Sequence, residues 1–327
     1  MRRIRVIEPG LLSTVQDLGR FGHSASGVGP AGAADALSLR IGNRLLGNDE
    51  NAGAIEMTLR GATLSFEEDA VVCLAGVRAT SAVVISGDTE RPLDSWAPTP
   101  IPSASTIDIG PISGGARAYL CVDGGIAVEP VLGSRATHVP SAVGPPVLKE
   151  GARLRLGEPV RGVQLAPLGQ SLRSELDSML QRRALRITPG SQHEAFAAEA
   201  REAIVSGEYT VGTRSDRAGI RLEGLPISAP GGSMRSEAVL TGSIQITPDG
   251  LPLVLFVDRP TTGGYPVLAT VIGADLPRLG QLCARDSVRF AWVSREEARE
   301  AAGVMERLIE SVPKPQPAGR SVSGDAR

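Results

Sequence analysis

Short runs of Val, Ile, Leu and Ala recur along the chain, each bounded by Gly, Pro or polar residues. This pattern predicts the strands of an antiparallel barrel or sandwich. The predicted strands cover 3–7, 54–59, 63–66, 70–74, 82–85, 106–109, 117–122, 185–187, 208–211, 220–222, 243–246, 253–257 and 287–293. Because they do not alternate with long helices, the pattern disfavours a doubly wound parallel sheet. The predicted fold class is mainly β with a few short helices.

Signals for helix starts are few. Asp35 can cap a helix that reaches residue 46, where Gly47 ends it. A Ser followed three positions later by Glu predicts a capping box at 191–194 and another at 294–297. The predicted helices cover 35–46, 171–183, about 192–204, a short stretch from 275, and 294 to about 311.

The predicted elements fall into two β-rich lobes, 1–165 and 185–293, with the boundary in the segment 160–184. A C-terminal helix over 294–312 follows the second lobe. Residues 313–327 are polar and rich in Pro, Gly and Ser. Such a composition buries too little apolar surface to fold, so we predict a disordered tail there.

The charge balance argues against a nucleic-acid partner, because the formal net charge is −2 and no basic block exists. The three Cys and three His residues are scattered singly. That spacing disfavours a disulfide framework or a metal site and favours a reducing compartment. The first residues lack the apolar core of a signal peptide, and no run of about 18 apolar residues occurs. We therefore expect a soluble cytoplasmic protein with no metal site of its own.

The common sequence motifs of nucleotide-binding proteins and serine hydrolases do not assign an activity to this chain. Residues 27–32 match G-x-G-x-x-G, but a loop-like segment precedes them where a dinucleotide site needs a buried strand. The chain contains neither a G-x-x-x-x-G-K-[ST] loop for ATP phosphates nor the G-x-S-x-G of serine hydrolases.

Four polar segments could carry chemistry. The first places Gln16, Asp17 and Arg20 within five residues beside glycines, which suits a site for a small polar or anionic substrate. Its alternative is an internal Asp17–Arg20 ion pair that fixes a turn. The second contains Arg217 and Arg221, whose planar guanidinium groups can bind carboxylate or phosphate through two N–H groups. Its alternative is a solvated, salt-bridged hairpin.

The third segment contains Gln245 on a strand that leads into a Pro-Asp-Gly turn with Asp249. Asp249 equally suits ordinary turn chemistry. The fourth segment follows the strand 253–257, where hydroxyls and glycines can form a nest of N–H groups for an anion. Its alternative is a Gly-Gly turn with Tyr265 as a packing anchor. The residues of this fourth segment are Arg259, Thr261, Thr262, Gly263, Gly264 and Tyr265.

Several linked stretches resemble the carboxyltransferase family that is also called allophanate hydrolase subunit 2, or KipA-like. The matching stretches are 10–20, 27–48, 54–64, 118–137, 215–224, 242–250 and 258–278. Residues 133–137 look like the Gly-Ser-Arg-[Ser/Ala]-Thr turn of the family. The motifs occur in the family's order over about residues 4–292, which makes the resemblance specific.

The resemblance implies two β-rich lobes with cyclophilin-like β-barrel character, the barrel lying over 185–293. It also implies one component of an ATP-dependent 5-oxoprolinase, which opens the lactam 5-oxoproline to L-glutamate. The implied partners are a KipI-like protein and a LamB/YcsF-like protein, the other two components of that enzyme. ATP with Mg²⁺ is the implied cofactor at the level of the complex.

A lactam is resonance-stabilised, so ATP must activate it, and the phosphoryl transfer needs cationic and N–H donors. We expect Arg217, Arg221 and 261–264 to supply them, with Asp249 or Asp258 as oxygen ligands of Mg²⁺. The expected catalytic residues are Gln16, Asp17, Arg217, Gln245 and Asp249. The residues expected to bind substrate or phosphate are Arg20, Arg221, Arg259, Thr261, Thr262, Gly263, Gly264 and Tyr265. These loops are expected to converge into one pocket.

Two departures from the family pattern keep other functions open. Pro260 stands where relatives often have Gln, and Val267 stands where they have a basic residue. One alternative is a carboxyltransferase component that moves a carboxyl group from biotin to urea or a similar amide. The chain has no biotin-acceptor Met-Lys-Met, so it would act with a separate carrier. Another alternative is a non-catalytic regulatory partner of a KipI-like protein.

Overall fold

The computed structural model describes residues 2–76, 79–160, 162–181, 184–231 and 235–317. This part of the chain is mainly β with five short α-helices, which confirms the predicted fold class. None of the helices in these ranges is long and apolar enough to cross a membrane.

The N-terminal half is a sandwich of two antiparallel sheets. Its strands are β1 (Arg3–Glu8), β2 (Leu12–Gln16), β3 (Ala54–Thr58), β4 (Thr63–Phe66), β5 (Ala70–Ala75), β6 (Ala79–Thr80), β7 (Val83–Ser86), β8 (Thr89–Pro92), β9 (Thr99–Ile101), β10 (Thr106–Asp108), β11 (Ile112–Ser113), β12 (Arg117–Val122), β13 (Arg153–Arg155) and β14 (Val163–Gln164). One sheet has the order β13-β1-β4-β10-β7-β8 and the other β2-β3-β12-β5-β9, while β6 and β11 form a separate pair and β14 lies outside both sheets. Aliphatic side chains from both sheets share one buried core, so the sheets pack face to face.

The C-terminal half is built on a closed barrel. Its strands are β15 (Ala184–Pro189), β16 (Tyr209–Val211), β17 (Gly219–Glu223), β18 (Glu237–Ala238), β19 (Ser243–Ile246), β20 (Pro252–Leu255), β21 (Thr262–Gly263), β22 (Val267–Val271), β23 (Ser287–Trp292) and β24 (Gln316–Pro317). The barrel order is β15-β22-β19-β20-β17-β16-β23, closed by a parallel β15–β23 pair. The barrel interior holds its own apolar core, which confirms the expected barrel character.

The helices are α1 (Ala36–Leu45), α2 (Gln170–Leu180), α3 (Ala198–Ser206), α4 (Leu276–Gly280) and α5 (Arg295–Ser311). Asp35 caps α1 by accepting from the Ser38 N–H at 3.0 Å, as predicted. The apolar face of α1 packs against α2, α5 and the five-stranded sheet in a third core. This helix therefore lies at the centre of the molecule.

The capping box predicted at 191–194 is wrong. His193–Ala195 form a single 3₁₀ turn, and α3 begins after Ala197 without a side-chain cap. The N–H groups of Gly190 and Gln192 donate to carbonyls of β22, so this stretch stays bonded to the sheet. That pairing prevents a helix from starting at Ser191.

The chain beyond α5 returns to the first half. Strand β24 pairs antiparallel with β14, so residues 316–317 of the predicted tail are hydrogen-bonded. Residues 318–327 lie outside the described residues. The division of the chain at 160–184 stays a prediction.

The capping box of α5 is present, with Ser294 accepting from the Glu297 N–H at 3.1 Å and Glu297 accepting from the Ser294 N–H at 2.7 Å. Ser294→Ala is expected to lower the free energy of unfolding by about 1 kcal/mol, because the helix loses its ordered cap. Denaturant titration measures the change. Ser206→Ala, at the exposed end of α3, is the control and should change stability by less than about 0.5 kcal/mol.

Candidate functional site

The residues singled out in the sequence separate into two places rather than one pocket. Those of the 16–20 segment, together with Arg217, Asp258 and Arg259, are buried where the two halves meet. Arg221, Asp249 and Tyr265 line open grooves on the barrel. The expectation of a single shared pocket is therefore corrected.

The centre of the buried group is Glu56 on β3, a residue that the sequence analysis did not single out. Its carboxylate accepts from the Tyr119 hydroxyl at 2.7 Å, from the Ala34 N–H at 2.9 Å and from Arg217 of the barrel half. Arg117 Nε lies 3.6 Å from Glu56 Oε1. Burial alone would raise the pKa of Glu56, but Arg217, Arg117 and the hydrogen bonds from Ala34 and Tyr119 together outweigh it and lower the pKa. Glu56 is therefore ionised and joins the two halves.

The guanidinium group of Arg217 donates its hydrogen bonds to other residues of the chain. Its Nε and Nη2 donate to both oxygens of Asp258 at 2.9 Å, Nη2 also donates to the Gly32 carbonyl at 2.8 Å, and Nη1 donates to Glu56. Burial would lower the pKa of Arg217, but Glu56 and Asp258 outweigh it and raise the pKa. Arg217 is therefore not placed to contact phosphate, and Asp258 is not placed to bind Mg²⁺. Both expectations are corrected.

A second layer of the same network holds α4 against the first half. Gln281 Nε2 donates to Asp35 at 2.7 Å, and Gln281 Oε1 accepts from the Arg117 N–H at 3.0 Å. Tyr119 accepts from the Asp35 N–H at 2.7 Å. Burial raises the pKa values of Asp35 and Tyr119. The network is therefore a structural joint between the halves, and its side chains are closed to a substrate.

In the 16–20 segment, Asp17 fixes a neighbouring loop. It accepts from Ser134 Oγ and the Arg135 N–H, both at 2.6 Å, and from the Gly19 N–H at 2.8 Å. Arg20 instead donates to the carbonyls of Val131 and Ala136. Both residues lie in the described part of the chain and form no ion pair with each other, so the turn-fixing pair is wrong. Asp17 instead holds the turn at residues 134–135 in place through its hydrogen bonds.

Gln16, Thr137 and His138 complete this loop cluster. Gln16 Nε2 donates to Thr14 Oγ1 and to the Thr137 carbonyl, both at 3.0 Å. Burial lowers the pKa of His138, although the nearby Asp258 opposes the change. His138 is therefore a neutral buried imidazole at pH 7.

Two adjoining grooves of about 550 and 730 Å³ lie on the barrel wall. They share Asp249 and Tyr265, and Arg221 lines the first of them. A hydrogen bond from Thr247 lowers the pKa of Asp249, with a smaller contribution from Arg221. An exposed carboxylate and an exposed guanidinium thus face the same space beside a 43% exposed Tyr265 ring. The packing-anchor role of Tyr265 is therefore wrong.

The segment predicted as an anion nest is partly a strand. Thr262 and Gly263 form β21, which pairs with β18, and the Thr261 carbonyl accepts from the Val239 N–H. These backbone groups are committed to the ladder. Gly264 lines the second groove. Gln245, which is buried, donates to the Tyr265 carbonyl at 3.0 Å and so fixes the groove floor.

Arg259 belongs to the buried group. It donates to Thr241 Oγ1 at 3.3 Å and to the Pro260 carbonyl at 3.0 Å. Burial lowers its pKa. Among the described residues, no group of three or more His, Cys, Asp or Glu side chains is arranged to hold a metal ion.

A comparison with known proteins identifies the family. Residues 26–292 match the model of the carboxyltransferase domain, subdomain A and B. The chain is 32% identical to the C subunit of 5-oxoprolinase from Escherichia coli, over 94% of this chain and 97% of that protein. It is 34% identical to the C subunit of 5-oxoprolinase from Haemophilus influenzae, over 90% and 93%.

A solved structure shares the fold within a much longer protein. The urea carboxylase of Kluyveromyces lactis superposes with a TM-score of 0.85 at 28% identity, over 95% of this chain but 29% of that one. The relatives are thus one component of an enzyme complex and one part of a longer enzyme. The chain belongs to the family described as carboxyltransferase domain, subdomain A and B.

Proposed function

We propose that this chain is the C subunit of an ATP-dependent 5-oxoprolinase. In this proposal it works in the cytoplasm with a KipI-like protein and a LamB/YcsF-like protein to open 5-oxoproline to L-glutamate. One observation carries the proposal: the similarity to two 5-oxoprolinase proteins of the same kind extends over nearly their whole length. The urea carboxylase match covers less than a third of that chain.

The open grooves support a site that a partner protein completes. Arg221, Asp249 and Tyr265 are solvent-exposed, whereas reactions of activated phosphates proceed where water is excluded. A partner protein bound over the groove would exclude water from it. Arg221 would then donate to a carboxylate or phosphoryl group through its planar fork.

Asp249 fits a Mg²⁺ that arrives with ATP. Mg²⁺ in phosphoryl-transfer sites is commonly held by one or two protein carboxylates and by phosphate oxygens. Asp249 provides one exposed carboxylate, and its lowered pKa keeps it ionised at neutral pH. ATP supplies the phosphoryl group that activates the lactam oxygen, and this chain contributes charge and orientation at the groove rim.

Reconstitution with the KipI-like and LamB/YcsF-like proteins tests the proposal. We expect ADP release that depends on 5-oxoproline and on all three proteins. Carboxybiotin-dependent consumption of urea is measured in parallel. ADP release that requires 5-oxoproline, with no consumption of urea, supports the proposal. Urea consumption without 5-oxoproline turnover contradicts it.

Carboxyl transfer from biotin is the second candidate, because the chain superposes on urea carboxylase with a TM-score of 0.85. The third candidate, a regulatory partner of a KipI-like protein, predicts a tight complex that turns over neither substrate. The same reconstitution therefore separates all three.

A further inference from the structure

Four buried polar atoms cluster under the loops 17–23 and 129–148. They are Gln16 Oε1, Arg20 Nη1, Thr137 Oγ1 and His138 Nε2, and each lacks a hydrogen-bond partner within the described residues. The exposed fractions of these residues are 0%, 2%, 3% and 3%. Buried polar groups in native proteins nearly always have partners, and a buried cation without one is especially unfavourable. Four in one place therefore indicate a missing partner.

Hydrogen bonds hold the Gln16 and Arg20 side chains against the backbone of residues 136–137. Gln16 Nε2 donates to the Thr137 carbonyl at 3.0 Å, and the Thr137 N–H donates to the Val15 carbonyl at 2.9 Å. Arg20 Nη2 donates to the carbonyl of Ala136, next in the chain to Thr137. Gln16, Arg20 and Thr137 are thus fixed by bonds that do not use the unpartnered atoms.

The contacts also define which atoms donate and which accept. His138 Nδ1 accepts from the Ser141 N–H at 3.3 Å, so the neutral ring carries its proton on Nε2. Arg20 Nη1 is a charged donor, and Thr137 Oγ1 can donate or accept. Since the Gln16 amide nitrogen faces the Thr137 carbonyl, its Oε1 is an acceptor. The cluster offers a cation, a neutral donor, one hydroxyl and one acceptor.

The surrounding backbone is built around this point. A side chain at Gly29 would place its Cβ 2.9 Å from His138 Nε2 and 3.0 Å from the Arg259 carbonyl oxygen, so only glycine fits beside the ring. Ala31, Leu132 and Ala142, in the loops nearby, have φ values of 52°, 52° and 50°. Such left-handed conformations of non-glycine residues are costly and are concentrated at functional sites.

We propose that Gln16, Arg20, Thr137 and His138 bind a small oxyanion that also carries one N–H or O–H group. The oxyanion accepts from Arg20 Nη1 and His138 Nε2, while its N–H or O–H donates to Gln16 Oε1. A carboxylate with a neighbouring N–H, bicarbonate and hydrogen phosphate all have this chemistry. The site is separate from the barrel grooves, and the inference does not depend on the proposed enzyme activity.

Titration of the full chain with 5-oxoproline, bicarbonate and inorganic phosphate, one probe at a time, tests the proposal. Binding is followed by calorimetry and by imidazole NMR, in which only three histidines have to be assigned. We expect one probe to bind in a 1:1 complex and to shift the His138 resonances while those of His23 and His193 stay unchanged. Which probe binds distinguishes a carboxylate ligand from an inorganic one.

Two variants test whether His138 and Thr137 bind the ligand. His138→Asn retains an acceptor for the Ser141 N–H but removes the Nε2 donor, and Thr137→Val removes the hydroxyl at nearly constant shape. Each should weaken binding about tenfold or more, as expected for a lost hydrogen bond to a charged group. Thr210→Val, at an exposed position of β16, is the matched control and should bind as the unmodified chain does. Failure of all three probes to shift His138, or unchanged binding in both variants, overturns the proposal.

Discussion

Glu56→Gln is expected to lower the free energy of unfolding by about 3–5 kcal/mol, because it removes the buried carboxylate that faces Arg117 and one of the two that pair with Arg217. Glu56 is 1% exposed and compensates Arg217 across the joint between the halves and Arg117 within its own half. The substitution keeps the shape of the side chain but removes its charge. It also places an N–H group where the carboxylate accepted hydrogen bonds. Denaturant titration at pH 7 measures the loss.

Glu306→Gln is the matched control, since Glu306 also pairs with an arginine, Arg40, but its side chain is 48% exposed. Exposed pairs contribute less than about 1 kcal/mol, so this variant should stay close to the unmodified protein. A Glu56→Gln variant within that same margin would contradict the assigned joint.

The pH dependence has a definite sign. The folded-state pKa of Glu56 is lowered, so its contribution is fully present above the unfolded value of about 4.3. It is lost as the pH falls through the folded pKa. The stability difference between the protein and Glu56→Gln should therefore be constant above about pH 5 and shrink at lower pH. A difference that grows on acidification is incompatible with this account.

Arg221→Gln is expected to reduce 5-oxoproline-dependent ADP release by the reconstituted complex about 100-fold. Removing one donor to developing negative charge has effects of this size. Arg221 is exposed on β17 and faces the same groove as Asp249, so its loss should barely change stability. Turnover at saturating ATP and the unfolding curve of the variant are the two measurements.

Arg289→Gln is the control for this experiment. Arg289 is 56% exposed on strand β23 of the same barrel, where it pairs with Glu208 away from the groove. It should retain turnover within about twofold, as expected for a surface substitution away from the site. Equal rates for Arg221→Gln and Arg289→Gln, in complexes that assemble equally well, would remove Arg221 from the site.

Much of the fold could be predicted because local signals agree with it. Strands β4, β12 and β19 lie where the aliphatic runs predict them, and Asp35 and Ser294 cap their helices. Strand β2 was missed because its residues Leu12–Gln16 resemble a polar loop. The Gln16 amide finds a partner in the distant Thr137 carbonyl, which sequence spacing does not reveal.

The candidate site was harder to predict because burial decides the role of each charged residue. Arg217 and Arg221 look alike in sequence, yet Arg217 is buried just before β17 begins, whereas Arg221 lies on the exposed side of that strand. Glu56 offered a signal that could have been used, since a lone carboxylate within the apolar strand Ala54–Thr58 requires a buried partner. That partner lies 161 residues away, so only the folded chain identifies it as Arg217.

We propose that the KipI-like and LamB/YcsF-like proteins need this chain to open a lactam. L-Glutamate formed from 5-oxoproline and ATP, measured with this chain present and with it omitted, tests that claim most directly. The account predicts glutamate in amounts equal to the ADP released when the chain is present, and none when it is left out. Equal glutamate formation in its absence would contradict the account.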